Sequence, residues 1–246
     1  MIGRLVVSAF LAALTLYGQG GRGRGPAPPR TAKAAALYDL TGYWVAVVTE
    51  DWRYRMVTPL KGDFGGVALN PAGRKIAGDW DPARDEQSGE QCRSYGAAAV
   101  MNNPGRLHIT WQDDETLKIE ADNGQQTRLL HFGSSESGAG EWQGYSKAMW
   151  EVVPAGRGEK PTGSLKVTTT KMRPGYLRKN GVPYSANAVL SEYLDRVSEP
   201  DGNAYLVVTS TVEDPVYLAQ PFQSASHFRK QPDGAGWKAR PCVTRW

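Results

Sequence analysis

Three histidines are available for chemistry, His108, His131 and His227, and no two have the short spacing of a helical zinc motif. The chain contains no Cys-x-x-Cys pair, P-loop, dinucleotide glycine fingerprint or Gly-x-Ser-x-Gly elbow. The sequence therefore points to no metal and no cofactor, and leaves acid–base and binding chemistry on Tyr, His, Glu and Arg side chains.

Three groupings carry that chemistry. In residues 106–121, matching the apolar faces sets Leu107 beside Ala121 and Ile109 beside Ile119, which places His108 opposite Glu120. The turn at Asn123-Gly124 then brings Glu120 opposite Thr127 and puts His131 on the same face. A His–Glu pair tunes an imidazole toward general-base work, but it is equally an ordinary cross-strand surface pair, the reading that Lys118 on that face favours.

The second grouping is Glu50-Asp51-Trp52-Arg53-Tyr54-Arg55, where Trp52, Arg53 and Arg55 offer ring and guanidinium contacts to a carboxylate or phenolate ligand. Alternatively, Arg53 and Arg55 pair with Glu50 and Asp51. The third is residues 173–185, a connection longer than a hairpin needs, as expected of a lid or binding loop. An ordered structural loop is the alternative. The segment holds Tyr176, Arg178 and Tyr184, and Glu192 leaves it on the next strand. The ligand-binding candidates are thus Trp52, Arg53, Arg55, Tyr176, Arg178 and Tyr184. The catalytic candidates are His131, Tyr176 and Glu192.

The elements that must position these residues read as strands. Period-two alternation marks residues 106–111, 116–121 and 127–132 as one meander, and 164–172, 188–197 and 204–212 as a second. Further strands are expected at 42–49, 144–153 and 223–230. Asn70-Pro71 and Asp81-Pro82 open short helices over 71–79 and 82–88, while 89–101 reads as helix or irregular cover. The expected fold is all-β with short helices, an antiparallel barrel or sandwich of about nine to ten strands.

Composition places the chain in a compartment. Arg4 precedes an uncharged stretch from Leu5 to Tyr17 and the small residues Gly18-Gln19-Gly20, the pattern of an export signal over 1–20. That stretch is too short to span a hydrocarbon core of ~30 Å as a helix. An uncleaved anchor is the alternative. Residues 21–36 form a basic Gly/Pro/Ala leader expected to be flexible, and 37–246 a single domain. The formal charge of +4 comes entirely from these N-terminal segments, since 37–246 holds 24 basic and 25 acidic residues. A basic pI is therefore no argument for nucleic acid binding, and no stable membrane insertion is expected after signal removal. In an exported chain, the two cysteines, Cys92 and Cys242, are expected to form one disulfide; two separate thiols are the alternative.

Leu40-Thr41-Gly42-Tyr43-Trp44, at the first strand, resembles the Gly-x-Trp signature of lipocalins and their calycin relatives. Residues from about 40 to 242, with Gly140-Glu141-Trp142-Gln143-Gly144, Val212-Glu213-Asp214-Pro215 and Gln220-Pro221-Phe222, also resemble secreted bacterial lipocalin-like proteins of uncharacterised function. The resemblance implies a barrel with a tryptophan across its base and a cavity. It implies no reaction, and Cys92–Cys242 matches no standard lipocalin disulfide.

Two functions fit: a periplasmic or secreted barrel binding a small hydrophobic or aromatic molecule, or a cofactor-independent isomerase or lyase using Tyr, His and Glu. A third, an envelope docking module, requires an exposed apolar patch. Oligomeric state is not legible.

Overall fold

A computed structural model describes residues 30–133 and 140–246; the expected signal and most of the leader lie outside the described residues. In chain order the strands are β1 (Gly42–Val47), β2 (Arg106–Trp111), β3 (Thr116–Ala121), β4 (Gln126–His131), β5 (Tyr145–Val153), β6 (Thr162–Thr170), β7 (Gly175–Arg178), β8 (Val182–Tyr184), β9 (Val189–Ser198), β10 (Ala204–Glu213) and β11 (Phe222–Lys230). Nine of them close into a barrel, β1-β11-β10-β9-β6-β5-β4-β3-β2, with β2 pairing back to β1. The remaining two, β7 and β8, form a separate hairpin.

Every strand expected from alternation is present, and the first meander has the expected register. Leu107 faces Ala121, His108 faces Glu120 and Glu120 faces Thr127. One junction departs from the antiparallel expectation: β4 and β5 are parallel, pairing Leu130 with Ser146 and His131 with Lys147. Parallel neighbours need a connection of about a dozen residues, which 132–144 supplies. The Asn-Gly turn also differs in detail. Positive φ falls on Gly124 (86°) and Gln125 (51°), while Asn123 Nδ2 donates to the Pro104 carbonyl at 2.6 Å. A side chain on Gly124 would collide with the Tyr95 ring, so close approach and backbone conformation both demand glycine there.

The helices gather between β1 and β2: α1 (Trp52–Arg55), α2 (Pro71–Gly78), α3 (Pro82–Gln87), a 3₁₀ segment over Gln91–Tyr95, and α4 (Ala97–Val100). Both expected proline starts are capped as anticipated. Asn70 Oδ1 accepts from the Gly73 amide at 2.9 Å, and Asp81 Oδ1 from the Ala83 amide at 3.0 Å. Residues 89–101 resolve into the 3₁₀ segment and α4, whose four apolar side chains are all buried.

Two apolar clusters result. The larger fills the barrel around Trp44, Ile109, Leu165, Leu206, Val208 and Phe228. The smaller joins α2, α4 and the β7–β8 hairpin to the inner residues Leu190, Val212 and Phe222. Trp44 has no exposed surface, donates Nε1 to the Leu40 carbonyl at 2.9 Å and lies under the Lys230 ammonium, 4.6 Å from its ring. This placement fits the base tryptophan that the resemblance implies. Nine strands and a parallel junction nevertheless depart from the eight-stranded lipocalin barrel.

Leu165, Val167, Leu206 and Val208 expose 0% of their surface. A side chain that a water-sized sphere cannot touch borders neither solvent nor an internal void, so this part of the barrel is packed rather than hollow.

Cys92 and Cys242 form the expected disulfide across a Cα–Cα distance of 5.1 Å and a sequence separation of 150. Closing so long a loop contributes ~5 kcal/mol in the chain-entropy model. Cys92→Ser/Cys242→Ser is expected to shift the urea midpoint downward by the equivalent of about 2–5 kcal/mol. An unchanged midpoint would show that the segment after Pro241 is held without the covalent tie.

Candidate functional site

A polar hairpin tip normally faces water, but the tip of β7–β8 does not. Arg178, Lys179 and Asn180 are exposed to 8%, 3% and 0%, buried between the helices and the segment 242–246. Gly181 makes the turn with φ 80°, and a Cβ there would collide with Trp80. Asn180 Nδ2 holds the loop before α2, donating to the carbonyls of Leu60 at 3.0 Å and Asp63 at 2.7 Å.

Lys179 Nζ donates to the Tyr95 hydroxyl at 2.7 Å and to the Val243 carbonyl at 2.6 Å. The rings of Tyr95 and Trp246 lie 3.9 and 4.1 Å from that ammonium. Burial without a counter-charge pushes the Lys179 amine down to about 7. Arg178 donates Nη1 to the Gly65 carbonyl, and its guanidinium lies 3.9 Å from the Tyr54 ring and 5.4 Å from that of Phe222. Desolvation also lowers the Arg178 guanidinium from its ordinary value.

The α1 cluster meets this tip. Tyr54, Arg55, Arg178 and Lys179 share the wall of one narrow pocket with Asn102, Phe222 and others. Arg55 donates Nε to the Asn102 carbonyl at 2.8 Å and pairs with Glu50 at 2.5 Å. Arg53 pairs with Asp63 at 2.6 Å and also approaches the Tyr54 ring, at 4.7 Å. The expected pairing within the cluster holds for Arg55 and Glu50, whereas Arg53 pairs with Asp63 instead of Asp51. The Tyr54 ring is shared by Arg53 and Arg178. Trp52 is 62% exposed and lies outside the pocket wall.

Tyr176 sits elsewhere on the cap. Its hydroxyl bonds Asp85 Oδ2 at 3.0 Å and accepts from Arg93 Nη1 at 3.0 Å. Desolvation raises both the Asp85 carboxyl and the Tyr176 phenol. These groups line a second narrow pocket that Lys179 also borders. Tyr184 is fully buried, its hydroxyl has no hydrogen-bond partner among the described residues, and burial pushes that phenol upward.

The three catalytic candidates are not brought together. Glu192 points into the barrel, 1% exposed, and is clasped by Arg128 through Nη2–Oε2 at 2.6 Å and Nη1–Oε1 at 3.2 Å. His131 lies on the outer face and stacks on Tyr145, ring centroids 5.3 Å apart, beside a surface cleft that Trp142 also lines. Tyr176 is engaged on Asp85 and Arg93. His108 and Glu120 form the surface pair, 3.4 Å apart, with Lys118 on the same carboxylate at 3.1 Å.

Lys179, Asp85, Arg93 and Arg128 were not singled out by sequence reasoning. Arg128 had a readable signal, because it shares strand parity with the inward Leu130. An exposed apolar run is also present: Trp52, Met56, Val57 and Leu60 are at least half exposed, Leu60 to 81%. Among the described residues no group of three or more His, Cys, Asp or Glu side chains could hold a metal ion, and no helix is long and apolar enough to cross a membrane.

Comparison with protein-family models, with curated proteins and with solved structures returned no match. What the fold and site define is a closed β-barrel with a disulfide-tied cap and a polar, aromatic-walled pocket at the capped mouth.

Proposed function

We propose that this is an exported lipocalin-like protein that binds a small aromatic or hydrophobic molecule, at the capped mouth rather than in the barrel interior. The observation that carries this reading is the pocket at the hairpin tip. Two aromatic rings, Tyr54 and Phe222, and the polar Arg178, Asn102 and Asn103 line it, whereas the inner face below is packed. Small-molecule sites combine apolar walls with convergent polar groups, and here the polar groups outnumber the apolar ones. The neighbouring apolar run from Trp52 to Leu60 supplies a rim that a bound molecule would cover.

Periplasmic or secreted location accords with the disulfide, which persists in oxidising compartments, and with the expected signal. Binding is preferred over isomerase or lyase chemistry because His131, Tyr176 and Glu192 each face different partners.

Native mass spectrometry of the exported, oxidised protein is expected to show a retained small molecule, or a one-to-one adduct with added apolar aromatics. Tyr54→Ala should weaken that adduct at least fivefold. No retention, and no binding across an aromatic panel, would end this reading.

A further inference from the structure

Burying a guanidinium or ammonium is costly unless a carboxylate accompanies it. Two of the buried arginines obey that rule: Arg55 has Glu50 at 2.5 Å and Arg128 has Glu192 at 2.6 Å. Arg178 and Lys179 do not, since among the described residues neither has a carboxylate within 4.0 Å. Lys179 meets a phenol, a carbonyl and two rings, all of them neutral.

Arg178 is open on one edge. Only Nη1 is engaged, on the Gly65 carbonyl, so Nε and Nη2 have no acceptor among the described residues. Those two donors form the side-on fork that matches the two oxygens of a carboxylate. Gly66 helps to keep the edge uncovered, for a Cβ there would sit 3.6 Å from Nη2. The pocket beside it is narrow, with room for a head group of a few atoms. Asp51 lines the same pocket as its one acidic member, and Asp63 is already committed to Arg53 at 2.6 Å.

We infer that the molecule bound at the mouth is an acid, its carboxylate received by the Nε–Nη2 edge of Arg178, whose guanidinium already covers the Tyr54 ring, and its ring or chain left toward the exposed apolar run from Trp52 to Leu60. The inference rests on the mouth being the ligand site and adds the chemical class of the ligand. A single planar anion would supply in direct contact the counter-charge that Asp51 and Asp63 give Arg178 only from beyond ion-pair distance.

Calorimetric titration of the oxidised protein with benzoate, benzamide and inorganic phosphate tests it. Benzoate is expected to bind at least tenfold more tightly than benzamide. Arg178→Gln should remove that difference, read as the ratio of the two affinities. Asp51→Asn, which removes the pocket's one carboxylate, should tighten benzoate about threefold relative to benzamide through loss of a like charge. Equal binding of benzoate and benzamide, or a preference that survives Arg178→Gln, overturns the acid assignment while the mouth remains a binding site. Phosphate competing as well as benzoate overturns the planar-carboxylate assignment. Binding of neither aromatic probe overturns the site itself.

Discussion

Glu192→Gln is expected to destabilise the protein by about 3–5 kcal/mol, because it leaves the Arg128 guanidinium charged and unpaired inside the barrel. The two side chains are 2% and 1% exposed, and two hydrogen bonds join them. The hydroxyls of Ser146 and Thr169, bonded to each other at 2.7 Å, are the neighbours; Thr169 accepts from Arg128 Nη2 at 3.2 Å. They satisfy donors but cannot neutralise a charge. Arg128 Nε already lacks a partner among the described residues, so they offer no spare acceptor to take over from the lost carboxylate. The double variant Arg128→Met/Glu192→Leu removes both charges and fits the apolar cluster around Leu130, Leu165 and Leu194. It should recover most of the loss in urea unfolding, where midpoint and slope separate stability from two-state failure. A single variant as stable as the wild type would show that water reaches this pair.

The contrast between that pair and its sequence signal shows what was legible. Strands were read from alternation because one face of each is buried, and a one-residue slip would invert every side chain. The same logic places Glu120 opposite His108 and Thr127, and it carries Arg128 and Glu192 inward on the parity of Leu130 and Leu194. Which inward polar residues meet across the barrel was not legible, since Arg128 and Glu192 lie on β4 and β9, with β5 and β6 between them. The parallel β4–β5 junction was hidden for a related reason: alternation reports faces, not strand direction. At the mouth, Arg178 and the 50–55 cluster were legible as residue types suited to binding. Their meeting was not, because more than a hundred residues separate them and the helices between β1 and β2 set the distance. Lys179 was missed because a Lys in a turn-like Arg-Lys-Asn-Gly run ordinarily reads as solvated.

Lys179→Met is expected to stabilise the protein near pH 6 and to lose that advantage as the pH rises. The native amine sits at about 7, against 10.5 for an unperturbed lysine. Between those values the unfolded chain holds a proton that the native chain releases, so wild-type stability climbs with pH through this window. Below pH 7 the full desolvation cost stands, on the order of 4–5 kcal/mol at 1.36 kcal/mol per pH unit. Methionine escapes that cost and keeps much of the contact with the Tyr95 and Trp246 rings. It also leaves the Val243 carbonyl without its donor, a loss of about 1–3 kcal/mol. The Tyr95 hydroxyl retains the Val243 amide at 3.3 Å. The net gain is therefore about 2–3 kcal/mol at pH 6, falling to zero or below near pH 10. Chemical denaturation of both proteins at each pH isolates this residue, because every other titrating group cancels in the difference. A difference that stays constant from pH 6 to pH 10 would show that the native ammonium keeps its hydration.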